Sequence, residues 1–309
     1  MSATDSAIST PQHRPAMTTT VGVVGAGTMG AGIAVVMARA GHTVRLCDIS
    51  GERAQAGADQ VAGFLRRSVR LGKLSSDACE EMLARVLPVA ELGVLEDCDV
   101  ITEAVFESTE VKAELFHRLD DVCNPTALFT TNTSTLSVSA IAAGSRRPER
   151  VIGTHYCNPA PLMKLVEVVR GLQTSDDTYQ RTTRFLEGLG KTTVTTNDTP
   201  GFLVNLFLVP FENDCIRALE AGLGDIASID KAVKLALRYP LGTFELLDIV
   251  GLDIHRAVSV SLFDQLHDPR FAPPPLVDRM IAAGHLGRKS GRGFYTYEST
   301  GGFGSEGGS

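Results

Sequence analysis

The 309-residue chain has no tryptophan, no excess of positive charge, no paired-cysteine motif and no long apolar run. Each absence removes a class of function. Without an apolar stretch near the roughly 18–20 residues that cross a bilayer, no transmembrane segment is expected. With 29 Lys and Arg against 36 Asp and Glu, the net charge of −7 is wrong for a generic nucleic-acid binder, whose affinity rests on a basic excess. Cys47, Cys79, Cys98, Cys123, Cys157 and Cys215 follow no CxxC or CxxxC spacing. That disfavours a zinc module and a redox dithiol, and in a chain this long it makes no disulfide scaffold. Residues 1–19 are rich in Ser, Thr and Pro and lack the apolar core of a secretory signal. They are expected to be a disordered leader, or an over-long start with Met17 as the true beginning. Reduced thiols and no address signal point to the cytoplasm.

What is present is an ordinary globular composition, 43% hydrophobic and 21% charged, with length enough for two domains. Glycine is plentiful at 30 residues, and its placement carries the argument. Val21–Gly25 is a short apolar run ending in glycine, as a buried parallel strand does. A helical stretch from Thr28 to about Ala40 follows and stops at Gly41. Thr43–Asp48 is a second strand-like run ending in an acid. Further strand-like runs at 99–105, 128–131, 151–156 and 165–169 are partly separated by helical patterns at 111–122 and 176–189. Such alternation specifies an α/β fold of Rossmann type, a mostly parallel sheet with helices on both faces. Beyond Thr199-Pro200-Gly201 the pattern turns helical, at 202–221, 228–239 and 244–265. The expected division is therefore a nucleotide-binding domain over 20–199, a mainly helical C-terminal domain over 200–298, and a flexible Gly/Ser-rich tail over 299–309.

Gly25-Ala26-Gly27-Thr28-Met29-Gly30 is a G-x-G-x-x-G loop between a strand and a helix. In a dinucleotide site Gly25 permits the turn, Gly27 lets backbone approach a pyrophosphate, and Gly30 lets helix pack on strand. Alone, such a hexapeptide is also just a glycine-rich turn. Asp48 strengthens the functional reading, because it ends the next strand where a ribose-binding acid belongs. Its bland alternative is a helix N-cap, which Ser50 could supply as well. No arginine follows Asp48 directly, since Ile49 and Ser50 do, and that favours NAD over NADP.

His155 ends a strand-like run, a Pro-rich turn follows, and Glu167 lies in the next run. A turn of that length can fold the strands back so that the two meet. A carboxylate beside an imidazole fixes its tautomer and raises its basicity, which suits removal of an alcohol proton.

The segment His155–Val169 resembles the catalytic segment of the short-chain L-3-hydroxyacyl-CoA dehydrogenases, also called 3-hydroxybutyryl-CoA dehydrogenases. Asn132-Thr133-Ser134, Pro200-Gly201-Phe202-Leu203-Val204-Asn205, Pro240–Asp248 and Gly287–Tyr295 resemble further blocks of that family in the same order. The resemblance implies NAD-dependent interconversion of a 3-hydroxyacyl thioester and its 3-oxoacyl partner. His155 would be the base and Glu167 its orienting partner. Ser134 would bond the reacting oxygen, and Asn205 would position substrate from the helical domain. Glu107, Lys112, Ser134, Asn158 and Lys289 would join the glycine loop and Asp48 around the cofactor. A homodimer through the helical domain is implied too, with no nucleic-acid or membrane partner and no metal.

Two positions depart from the family pattern. Cys157 stands where a second aromatic is usual, and Leu206 where an arginine usually follows the asparagine. Both touch the substrate cleft, so the carrier stays open between coenzyme A and an acyl carrier protein. Arg66, Arg67, Arg70 and Lys73 could meet either one or form only a solvated basic face. A sugar acid is a third possibility, and a catalytically silent binding protein is the reading from another class.

Overall fold

The computed structural model describes residues 19–297. The leader expected before Thr19 and the tail expected over 299–309 lie outside the described residues. Eight strands form one sheet: β1 Thr20–Val24, β2 Thr43–Cys47, β3 Val86–Val89, β4 Val100–Glu103, β5 Leu128–Thr131, β6 Val151–Tyr156, β7 Leu165–Arg170 and β8 Thr192–Asn197. Their spatial order is β3-β2-β1-β4-β5-β6-β7-β8. Every neighbouring pair is parallel except β6 and β7. The first six strands thus have the doubly wound 3-2-1-4-5-6 order, whose switch point between β1 and β4 opens a ligand crevice.

The helices of this half are α1 Thr28–Arg39, α2 Gly51–Arg70, α3 Ser76–Ala84, α4 Thr109–Val122, α5 Val138–Ala142 and α6 Asp176–Gly188. They cover both faces of the sheet. On one face Val21, Val23, Val44 and Leu46 pack with Ile33 and Met37 of α1 and Val61 and Leu65 of α2. On the other, Ile101 and Phe129 pack with Leu115, Phe116 and Leu119 of α4. Because both faces are buried, the central strands are continuous apolar runs rather than alternating ones.

The C-terminal half contains α7 Val204–Glu220, α8 Ile226–Ala236, α9 Thr243–Val250, α10 Leu252–Leu266 and α11 Pro275–Ala282. Ile216, Phe244, Leu247, Leu252 and Val277 form its core. Two expectations need correction. The helix expected over 244–265 is two helices, broken at Gly251, whose φ of 101° is closed to most side chains. The helix expected from Phe202 starts two residues later, because Gly201 and Phe202 both have positive φ, 80° and 53°. Phe202 is buried beneath β6 and β7, and packing holds it in a backbone region that bulky residues seldom occupy.

Candidate active site

The glycine loop sits at the carboxyl end of β1. Gly25 has φ 100°, and a Cβ there would lie 2.4 Å from the Ala104 carbonyl oxygen. A Cβ on Gly30 would lie 1.7 Å from the Gly25 carbonyl, so this contact between helix and turn admits glycine alone. Gly27 differs. A Cβ there would meet nothing within 4 Å, so the loop leaves a cradle in front of it. Gly27 caps α1 with no side-chain bond to its first-turn N–H groups. Open space facing free N–H groups at the positive end of a helix fits a pyrophosphate.

Asp48 follows β2 and turns back to this loop. One carboxylate oxygen accepts the Ala26 N–H at 2.8 Å. The other accepts the Ile49 N–H at 2.8 Å and Nε–H of Arg53 at 3.0 Å. Asp48 is not the cap of α2, since Ser50 accepts the Arg53 N–H and fills that place. The carboxylate is left aimed at the crevice, where a dinucleotide ribose would lie.

The second cluster is built on the one antiparallel pair. β6 and β7 run in a register that sets His155 opposite Glu167, so their side chains leave the same face of the sheet. Nδ1 of His155 is 2.6 Å from Oε2 of Glu167. Nε2 is 3.1 Å from the Ser134 hydroxyl, in the loop after β5. Glu167 is fully buried, and its other oxygen accepts N–H groups from Leu203 and Val204 at 2.8 and 3.0 Å. The positive-φ turn at Gly201 and Phe202 points these two donors at it. Burial alone would push the Glu167 carboxyl up. The bond from His155 and the two backbone donors outweigh it and hold the group below its ordinary 4.5. An ionised Glu167 must accept, so Nδ1 carries the proton, and neutral His155 presents the Nε2 lone pair to Ser134. This is the arrangement of a general base.

Ser134 is held by further groups. Glu107 accepts its N–H at 2.9 Å and the Thr133 hydroxyl at 2.6 Å. The Asn205 amide donates to the Ser134 carbonyl at 3.4 Å from the first turn of α7. From α10, Ser261 and Gln265 bond the hydroxyl and carbonyl of Thr135 at 3.1 and 3.2 Å. Residues from the sheet half and from the helical half thus fix this loop. Ser134 is not the cap of the following helix, since Ser137 accepts the Ala140 N–H at the start of α5.

Lys112 is neither a solvated helix start nor free to reach a ligand here. It is fully buried, with its ammonium 2.7 Å from Glu103, 3.2 Å from Glu107 and 3.3 Å from the Asn132 carbonyl. Two of its donors go to Glu103 and the Asn132 carbonyl, and Glu107 stands at ion-pair distance. In this structure Lys112 acts through Glu107 and Asn132. Asn158 lies exposed in the turn after β6. Lys289 is not gathered with the others: its ammonium lies 2.6 Å from both oxygens of Asp253 in α10.

Several site residues escape sequence reasoning. Glu103, at the end of β4, accepts from Lys112, the Thr131 hydroxyl and the Val105 N–H. Burial raises its pKa despite Lys112. An acid closing the apolar run Val100–Glu103 was the available signal. The Asn132 side chain accepts the Tyr156 N–H at 3.1 Å and so ties the His155 strand to the Ser134 loop. Arg53 stands on Asp48 from the first turn of α2.

Comparison with known proteins points to one enzyme family across the chain. The family model described as the NAD binding domain of 3-hydroxyacyl-CoA dehydrogenase matches residues 20–199. The model of that family's C-terminal domain matches residues 201–297. The chain is 42% identical over 277 residues to a 3-hydroxybutyryl-CoA dehydrogenase of Bradyrhizobium diazoefficiens, covering 90% of this chain and 94% of that one. It is also 42% identical to a Mycobacterium tuberculosis protein of the same description, covering 90% and 98%. Among solved structures, an (S)-3-hydroxybutyryl-CoA dehydrogenase from Ralstonia eutropha superposes with a TM-score of 0.84 at 39% identity, covering 91% of this chain and 99% of that one.

The lowered Glu167 carboxyl has a consequence for acid stability. Stability from such a group is complete above its unfolded pKa and is lost as pH falls through the folded value. Urea unfolding between about pH 6 and about pH 3 should therefore show a smaller acid-induced loss in Glu167→Gln than in the wild type. An equal or larger loss in the variant contradicts the assignment.

Proposed function

The chain belongs to the 3-hydroxyacyl-CoA dehydrogenase family, and we propose that it interconverts a 3-hydroxyacyl-CoA, such as 3-hydroxybutyryl-CoA, with the 3-oxoacyl-CoA. The observation that carries this reading is the imidazole of His155, fixed by Glu167 on one side and turned to Ser134 on the other. Residues 25–30 and Asp48 would hold NAD, which when bound would accept the hydride in alcohol oxidation and give it back in the reverse reaction. Nε2 of His155 takes the proton of the 3-hydroxyl. Glu167 stays ionised and stabilises the imidazolium across the bond to Nδ1. The Ser134 hydroxyl hydrogen-bonds the reacting oxygen, and Asn205 positions the acyl chain from the helical side. In the reverse direction the imidazolium returns the proton as charge builds on that oxygen.

Coenzyme A is the carrier this reading favours, because the relatives are named for CoA substrates. The exposed Arg66, Arg67 and Arg70 of α2, with Lys73 just beyond its end, suit its phosphates. An acyl carrier protein or a sugar acid has no comparable support, and the intact His155–Glu167 pair speaks against a silent protein. The six cysteines are all free, which suits a reducing compartment such as the cytoplasm. No helix among the described residues is long and apolar enough to cross a membrane.

The helical domain leaves Phe207, Leu235, Leu237, Ile249, Val250 and Ile254 exposed. A homodimer through this domain would cover it.

Wild type should oxidise NADH when given acetoacetyl-CoA. His155→Gln should cut kcat by about 10²–10⁴-fold while NADH still binds. Turnover that survives the change would put the base elsewhere, and a wild type active only on carrier-protein-bound or free acids would refute coenzyme A. Sedimentation velocity should find a dimer that Phe207→Asp shifts to monomer; a monomeric wild type contradicts the pairing.

A further inference from the structure

The turn between β8 and α7 grips α5 at one residue from two sides. Asp198, the first residue after β8, is half-buried and reaches back to the start of that helix. Its Oδ1 accepts the Val138 N–H at 2.7 Å. Its Oδ2 accepts the Ser139 N–H at 2.7 Å and the Ser137 hydroxyl at 2.8 Å. The turn then closes at once, since the Thr199 carbonyl accepts the Phe202 N–H at 3.0 Å. Phe202, at the far end of the turn, is buried in one cluster with Val138 and with Val169 of β7. Val138 is thus held by its N–H at one end of the turn and by its side chain at the other.

Capping α5 does not explain this arrangement. Ser137 already accepts the Ala140 N–H as the local cap, and a helix of five residues has little stability of its own to gain. Three hydrogen bonds to a carboxylate, each stronger than a neutral one, instead join two segments distant in the chain. On both sides of the join lies the catalytic site. Val138 closely follows Ser134, whose hydroxyl faces His155. The Phe202 ring lies 5.6 Å from the His155 imidazole, tilted by 57°. Leu203 and Val204, next in the chain, donate their N–H groups to Glu167, and Asn205 bonds the Ser134 carbonyl.

We propose that Asp198 is a positioning residue: by closing the 198–202 turn on Val138, it holds the backbone donors on Glu167 and the Ser134 hydroxyl on His155. It acts through the His155–Glu167 pair rather than on the reacting atoms. Its kinetic consequence rests on the dehydrogenase reading of the site, whereas its effect on Glu167 does not.

The test uses the whole chain carrying Asp198→Ala, or Asp198→Asn, which keeps the size of the side chain and one acceptor oxygen. In acetoacetyl-CoA reduction, Asp198→Ala should lower kcat by about tenfold or more, with KM and NADH affinity within about twofold of wild type. Asp198→Asn should fall between, and it carries the same comparisons if the alanine variant does not fold. Added to His155→Gln, Asp198→Ala should cost almost nothing further, because its effect passes through the pair. Without substrate, carboxyl 13C NMR of Glu167, assigned with Glu167→Gln, reads the donors themselves. Loosening them should raise the Glu167 titration midpoint above that of wild type. His155 and Cys157, the titratable side chains that face Glu167, are unchanged by the substitution. A wild-type kcat in Asp198→Ala overturns the proposal, as does a full additional loss in the His155→Gln background or a Glu167 midpoint that stays put. A variant that only melts lower, with kcat and midpoint intact, makes Asp198 a cap and overturns it too. If wild type fails to turn over but the midpoint moves, the positioning stands and the dehydrogenase reading falls.

Discussion

The site depends on one buried carboxylate. Glu167 sits in β7, the strand that reverses the sheet, and accepts from His155 with one oxygen and from Leu203 and Val204 with the other. A charge so deeply buried is tolerable only when it is fully hydrogen-bonded. Here the donors come from both domains. The bonds that keep Glu167 ionised therefore also fix where α7 begins, and with it the position of Asn205. The groups that touch Ser134 thus arrive from the sheet, from the loop before α4 and from α7 through a few short contacts.

A second buried network supports the same loop from the cofactor side. Glu103, Lys112 and Glu107 form a chain in which one ammonium faces two carboxylates. Burial raises the pKa of Glu103, and Glu107 turns outward to bond Thr133 and Ser134. The ends of β4 and β5 are thereby pinned at the switch point of the sheet. Cofactor loop and base share a floor whose polar groups are spent on one another, and such preorganisation lets a base act without moving neighbours at the moment of proton transfer.

Much of this was legible in the sequence, and what was not has physical reasons. The β1–α1–β2 unit, the glycine loop and Asp48 could be found because each is local and each needs a particular residue type. His155 and Glu167 could be paired because a Pro-rich turn folds adjacent strands into register. β8 was hidden: Thr-Thr-Val-Thr-Thr-Asn is polar on most positions, since an edge strand buries little. β3 was hidden by Pro88, which an edge strand tolerates because one side of its ladder is unpaired. The Lys112–Glu103 pair could not be read, because a fully buried lysine runs against composition and its partners lie on other elements. Arg53 escaped for a narrower reason. The residues just after Asp48 show no arginine, yet one helical turn later the chain brings one back onto the same carboxylate.

The central claim is that Glu167 acts through His155 rather than on its own. A double-mutant cycle in kcat for reduction of acetoacetyl-CoA, built from His155→Gln, Glu167→Gln and the double variant, addresses it most directly. If the pair works as one unit, the double variant should be about as slow as His155→Gln alone. Losses that multiply, each substitution costing its full factor in the presence of the other, would contradict the account.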